Sequence, residues 1–159
     1  MNTVVVYDSQ YGNTERIAQA IADTLGAFGQ AQAVHVDPGH QVSFQGVDLL
    51  ILGSPTQGFR PTLAMQFLLG TVSSQRLRGL AVACFDTRFR GRLWKSSAAP
   101  RMVRQLRMMG VEPLVPPESF FVKSIKQEGP LLAGEVERAA TWARMLFQKA
   151  EASHAAMQR

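Results

Sequence analysis

Apolar and polar positions fall in blocks along the chain, and the period inside the blocks alternates between strand-like and helix-like. Thr3–Tyr7 is an unbroken β-branched and apolar run, as in a strand buried on both faces. A polar loop with one glycine follows. From Thr14 to Phe28, the positions Ile17, Ala20, Ile21, Thr24 and Leu25 recur at i, i+3, i+4, i+7 and i+8, which predicts a helix with Gly26 and Gly29 near its end. Ala31–Val36 predicts a weaker second strand, and Asp37-Pro38-Gly39 a turn. Val47–Gly53 predicts a third strand. Pro61 stands where proline opens a helix at least cost, with Leu63, Phe67 and Leu68 as the expected buried face. Leu80–Phe85 predicts a fourth strand, leaving residues 86–94 as a loop. Pro100 opens a helix carrying Met102, Val103, Leu106 and Met109, closed by Gly110. A fifth strand falls within Val111–Val122, and Pro113, Pro116 and Pro117 place it at a sheet edge. The last helix is expected from Leu131 to about Ala150, with Val136, Ala139, Ala140, Ala143 and Leu146 inward and residues 151–159 as a frayed tail.

Apolar strands alternating with helices define an α/β protein with a parallel sheet covered on both faces. Two doubly wound strand orders satisfy the pattern, and periodicity does not choose between them. A chain of 159 residues is the size of one domain, here assigned to residues 1–150. The single cysteine, Cys84, excludes an internal disulfide framework and sits in a strand as a small core residue. No apolar run is long enough for a membrane span, and no basic segment followed by an apolar stretch opens the chain. A cytoplasmic protein without membrane contact is therefore expected. His35, His40 and His154 are scattered and Met102, Met108 and Met109 are helix-face residues, so no metal site is predicted. The formal charge of +5 suits an acidic partner or serves solubility alone. The basic residues form no helical stripe with interleaved aromatics, so nucleic acid is not an expected ligand.

The candidate chemistry begins in the first loop. Ser9-Gln10-Tyr11-Gly12-Asn13-Thr14 joins a buried strand to a helix. Ser9 and Thr14 supply hydroxyls, Asn13 an amide, and Gly12 a backbone geometry that other residues resist. Successive N–H groups at the positive end of a helix bind a phosphate without any lysine. The loop lacks the Gly-Lys-Ser/Thr ending of a P-loop and the three glycines of a dinucleotide fingerprint. A polar cap on the helix is the plainer alternative for the same residues.

Three segments together carry a family likeness. Ser9-Gln10-Tyr11-Gly12-Asn13-Thr14 resembles the flavodoxin phosphate motif in its serine, glycine and final threonine. Gly53-Ser54-Pro55-Thr56-Gln57-Gly58 resembles the loop after the family's third strand, and Leu80–Phe85 the strand leading into its third flavin loop. The resemblance spans nearly the whole chain and is to the short-chain type. It implies a five-stranded parallel sheet of order 2-1-3-4-5 with helices on both faces. It also implies one FMN, with its phosphate on Ser9, Gln10, Tyr11, Gly12, Asn13 and Thr14. The flavin ring would lie between Pro55, Thr56, Gln57, Gly58 and Phe59 on one side and Asp86, Thr87, Arg88, Phe89 and Trp94 on the other. The Gln57-Gly58 peptide would change orientation with the redox state of the flavin.

Two departures from the family pattern stand out. Gln57 replaces the usual tryptophan and no tyrosine occurs in residues 86–94, which leaves Phe59, Phe89 or Trp94 to supply an aromatic face. Arg88, Arg90 and Arg92 occupy the expected flavin loop, with Arg60 in its neighbour, where relatives are typically acidic. A unit charge about 8 Å from the flavin is worth roughly 2 kcal/mol at an effective dielectric of about 20. The arginines therefore predict a fully reduced flavin that is easier to form than in acidic relatives. The resemblance implies a monomeric one-electron carrier, serving a redox partner protein of acidic character if charges are complementary, rather than a stand-alone enzyme. Two other functions fit the same residues: an FMN-dependent NAD(P)H reductase, and a binding module that kept the fold for another anionic ligand.

Overall fold

The computed structural model describes residues 1–39, 41–91, 96–124 and 129–157. In chain order the elements are β1 (Asn2–Tyr7), α1 (Asn13–Gly26), β2 (Gln30–His35), β3 (Leu49–Pro55), α2 (Leu63–Thr71), α3 (Ser74–Leu77), β4 (Ala81–Phe89), α4 (Ala98–Met108), β5 (Glu118–Val122) and α5 (Glu135–Met157). The five strands form one parallel sheet in the order β2-β1-β3-β4-β5.

Strand alternation sorts the core into two layers. Side chains of successive residues leave a strand on opposite faces. Val5, Tyr7, Leu49, Ile51, Ala83, Phe85, Phe120 and Val122 therefore share one face and pack on Ile17, Ile21 and Leu25 of α1 and Trp142 and Leu146 of α5. Val4, Val6, Leu50, Leu52, Val82 and Cys84 take the other face, against Met65 and Leu69 of α2, Leu77 of α3 and Met102 and Leu106 of α4. The rings of Phe85, Phe120 and Trp142 meet edge-on, with centroids 5.8–6.2 Å apart.

β5 lies at the edge, as expected, but it begins only after Pro117, so the three prolines precede the strand and do not themselves force it there. Its free side is covered rather than left as an unpaired row. Glu135 accepts the Phe121 N–H at 2.7 Å, and Arg138 donates to the Ser119 carbonyl, to Glu118 at 2.8 Å and to Glu135 at 2.7 Å. The Leu132 N–H adds a bond to the Phe121 carbonyl.

Three elements differ from the periodicity. β4 runs on to Phe89, so Asp86–Phe89 are strand and not loop, paired with Ser119–Val122. The last helix starts at Glu135 instead of Leu131, because Leu131 bridges antiparallel to Val122, and it continues to Met157. In α2 the buried residues are Met65 and Leu69, and Leu68 packs partly against the same layer as expected, while Leu63 and Phe67, also expected inside, face outward. Pro61 precedes the helix, and Thr62 is its N-cap, accepting the Met65 N–H at 3.3 Å.

Candidate functional site

The carboxyl ends of β1 and β3 open into a cavity of about 730 Å3. Its wall comprises Asp8, Ser9, Gln10 and Tyr11 after β1, Thr56, Gln57 and Gly58 after β3, and Thr62, Leu63 and Ala64 entering α2. This is the edge where parallel sheets of the doubly wound kind bind ligands. The volume lies in the range of small-molecule sites, about 300–1,000 Å3.

On one side the loop folds around an oxygen. The Gly12 and Glu15 N–H groups both point at the Ser9 hydroxyl, at 3.1 and 3.3 Å. Gly12 makes this convergence possible by taking φ 85, a left-handed geometry that a side chain would strain. The other polar residues of the loop are tied into the scaffold. Thr14 Oγ1 and Thr87 Oγ1 share a buried hydrogen bond of 2.7 Å, and Asn13 Nδ2 donates to the Gly129 carbonyl at 2.8 Å. Asp8 accepts the Ser9 N–H at 2.8 Å and pairs with His35 Nε2 at 3.1 Å, so the one carboxylate in the cavity wall has a partner.

The opposite wall is a two-residue hairpin. Gln57 and Arg60 exchange both backbone hydrogen bonds, at 2.8 and 2.9 Å. The central residues Gly58 and Phe59 lie at φ 52 and 64, the pattern of a type I′ turn. A phenylalanine at positive φ is held in a strained conformation. Phe59 is half exposed, next in the chain to Gly58 of the cavity wall. The Gln57 side chain reaches across and donates to Gln10, linking the two walls.

Of the residues singled out in the sequence, Ser9, Gln10, Tyr11, Thr56, Gln57 and Gly58 meet in the cavity wall. Gly12, Asn13 and Thr14 lie beneath them at the start of α1, Pro55 is buried at the end of β3, and Phe59 sits at the hairpin tip. Asp86 and Thr87 are buried in β4. Asp86 accepts the Ala99 N–H at 2.8 Å and so anchors the start of α4, beside Thr56, which accepts the Ala98 N–H at 3.0 Å. Burial pushes the Asp86 carboxyl up, against the opposing effect of Ala99, Ser119, Ser97 and Arg88. The thiol of Cys84 is likewise pushed up by burial, which leaves it an inert core residue.

The arginines are arranged differently from the sequence expectation. Arg88 donates to Ser119 Oγ at 3.1 Å and stacks on Phe121, and Arg90 stacks on the same ring, each 5.0 Å from its centroid. Both are therefore drawn toward β5: β4 continues as a strand that sets Arg88 opposite Phe121, and Arg90 follows just after its end. Neither Arg88 nor Phe89 belongs to the cavity wall described above, whereas Arg60 is part of the hairpin. Arg92 and Trp94 lie outside the described residues.

Asp8, Thr62, Leu63 and Ala64 were missed in the sequence. Asp8 directly precedes the loop, and a threonine N-cap before an apolar helix was a usable signal for Thr62. Nothing in the sequence marked Leu63 as a wall residue.

The strand order and the carboxyl-edge cavity define a flavodoxin-like α/β fold. Solved structures agree. The oxidised flavodoxin 1 of Bacillus cereus superposes with a TM-score of 0.73 at 15% identity, covering 93% of this chain and 98% of that one. A WrbA-like flavodoxin of Agrobacterium tumefaciens gives 0.73 at 21%, covering 94% and 97%. A short-chain flavodoxin associated with a PDU bacterial microcompartment gives 0.75 at 17%, covering 94% and 99%. No curated protein sequence matches the chain. The sequence profile described as Flavodoxin matches residues 5–90, more than half of the chain, and the protein belongs to the flavodoxin family. Among the described residues, no helix is long and apolar enough to cross a membrane, and no cluster of His, Cys, Asp and Glu forms a metal site.

Proposed function

We propose that this protein binds one FMN at the carboxyl edge of the sheet and carries electrons, one at a time, to a redox partner protein. The observation that supports this most is the convergence of the Gly12 and Glu15 N–H groups on a single oxygen, at the N-terminus of a 14-residue helix. A loop that already gathers its amides around a hydroxyl oxygen suits phosphoryl oxygens. Family membership points to a flavin, and the cavity has room for a ligand of that class.

In this reading Ser9, Gln10, Tyr11, Gly12, Asn13 and Thr14 hold the phosphate, chiefly through backbone N–H groups. Thr87 orients the Thr14 hydroxyl, since the two share one hydrogen bond. Pro55, Thr56, Gln57, Gly58 and Phe59 bound the ring on one side in this proposal, and Asp86, Thr87, Arg88, Phe89 and Trp94 on the other. When bound, the flavin supplies the one-electron chemistry and the protein tunes it. Gly58 gives the Gln57-Gly58 peptide the freedom to reorient beside the ring. Residues 1–150 act as a single unit, a cytoplasmic monomer that works as a carrier and not as a stand-alone catalyst. The net charge of +5 suits an acidic partner.

The test is the visible absorbance of the purified protein before and after incubation with excess FMN and removal of unbound flavin. A retained, near-stoichiometric flavin spectrum is expected. A folded protein that retains none refutes the proposal.

A further inference from the structure

The charge of the cavity wall opposes the ligand it would hold. Among the described residues, the wall contains one carboxylate, Asp8, and no lysine, arginine or histidine. Asp8 stands immediately before the loop Ser9–Thr14, and its side chain is only 18% exposed. It accepts the Ser9 N–H at 2.8 Å, so its carboxylate already occupies the first amide of that loop. A second acid, Glu15, lies in the first turn of α1. The positive end of a helix offers only about half a unit of charge against them. A phosphate resting on the loop therefore meets uncompensated carboxylate charge.

The group that can offset it comes from the neighbouring strand. His35 ends β2, and its Nε2 lies 3.1 Å from Asp8 Oδ1. The parallel register fixes this meeting, since His35 stands opposite Tyr7 and Asp8 is the next residue. The Tyr7 and His35 rings meet edge-on, 5.4 Å apart, which holds the imidazole over the strand end. The other titratable groups here are Glu15, which accepts the Tyr7 hydroxyl at 3.2 Å, and Asp37, which accepts the Gly39 N–H in its own turn at 2.8 Å. Burial, and then the Glu15 carboxylate, push the Tyr7 phenol up, so it stays neutral where histidine changes charge. With 54% of its side chain exposed, His35 exchanges protons with solvent. A neutral imidazole only shares a hydrogen bond with Asp8, whereas an imidazolium also cancels its charge.

We propose that Asp8 and His35 together set the selectivity of the site for a phosphorylated over an unphosphorylated flavin, and that this selectivity weakens as His35 gives up its proton. The inference rests on the FMN reading and adds the residues that discriminate at the phosphate end. A unit charge about 8 Å away, at an effective dielectric of about 20, changes affinity roughly thirtyfold. Exposure of His35 and salt reduce this to about three- to tenfold.

The experiment titrates the full-length apoprotein with FMN and, separately, with riboflavin, following flavin fluorescence from about pH 5.5 to about pH 8.5. Wild type, His35→Gln and Asp8→Asn are compared. The FMN phosphate itself titrates near about pH 6, equally for all three proteins, so the ratios of their affinities are free of it. Wild type should bind FMN about three- to tenfold more tightly than His35→Gln at the acid end, and equally at the alkaline end. Asp8→Asn should bind FMN about three- to tenfold more tightly than wild type at the alkaline end. Riboflavin affinities of the three proteins should agree within about twofold throughout, because riboflavin carries no phosphate charge. A wild-type to His35→Gln ratio for FMN that is constant with pH overturns the proposal. So does Asp8→Asn without tighter binding, or riboflavin following FMN, which would make the pair a brace of the loop. FMN binding with parallel pH profiles refutes the charge pair alone, whereas a folded chain that binds neither flavin at any pH refutes the FMN reading and this inference with it.

Discussion

Phe59 offers a way to separate what a residue does for the fold from what it does for a ligand. It occupies φ 64 in the hairpin next to the cavity, with half of its surface in water. Holding a side-chain-bearing residue in this region costs about 1–2 kcal/mol, a cost that asparagine largely escapes through local hydrogen bonding. Full burial of a phenylalanine contributes about 1.5–3 kcal/mol, so a half-buried ring returns about 1 kcal/mol. The two effects nearly cancel. Phe59→Asn should therefore change stability by less than about 1 kcal/mol, in the stabilising direction where relief of the strain outweighs the lost burial. The ligand effect has no such compensation. If the ring flanks the flavin, its loss removes an aromatic stack of about 0.5–1.5 kcal/mol, or about two- to tenfold in FMN affinity. Urea unfolding of the apoprotein measures the first quantity, and quenching of FMN fluorescence on titration measures the second. The reasoning is refuted if Phe59→Asn loses more than about 2 kcal/mol of stability while binding FMN as tightly as wild type. That result would make Phe59 a packing residue of the hairpin.

Other consequences follow from the same geometry. Gln57→Trp should tighten FMN binding about two- to tenfold by adding an aromatic face at a position where this chain has an amide, and unchanged quenching titrations would refute it. Gly58→Val puts a β-branched residue at φ 52 and should destabilise the apoprotein by about 1–2 kcal/mol, seen as a lower urea midpoint. Asp86 has a folded-state pKa above its ordinary value of 3.8, so the folded state holds the extra proton and stability falls as pH rises from that value through the folded one. Asp86→Asn keeps an acceptor for Ala99 and lacks this fall, so its stability relative to wild type should increase as pH rises above the ordinary aspartate value, and a constant difference would refute the assignment. Glu135 behaves oppositely: burial raises its pKa, but Arg138 and the Phe121 N–H outweigh that and hold it low. Its contribution is present above the ordinary glutamate range and lost on acidification, so Glu135→Gln should cost about 1.5–3 kcal/mol near neutral pH and less in acid by denaturant unfolding.

Much of this molecule was legible in the chain. β1, β3 and β4 are apolar runs of the kind buried in a doubly covered parallel sheet, and the prolines before Glu118 mark where β5 can begin. The two loops that form the cavity were legible as well, because Gly12 and Gly58 mark positive φ within polar segments at strand ends. The face of α2 was not legible. A helix without charged residues has no polar side to orient it, and only the positions of β3, β4 and α4 decided that Met65 and Leu69 go inward and Leu63 and Phe67 outward. The role of Asp86 and Arg88 was hidden for a related reason. Polar residues after an apolar strand read as a loop, yet pairing with β5 extends β4 through them and sets Arg88 against Phe121, which Arg90 also covers. The hydrogen bond between Thr14 and Thr87 joins residues 73 positions apart, as does no local pattern. Local sequence determines which segments are strands, helices and turns, because backbone preference and period act over a few residues. Which polar side chain faces a cavity, and which one braces it, depends on neighbours brought together only when the sheet is assembled.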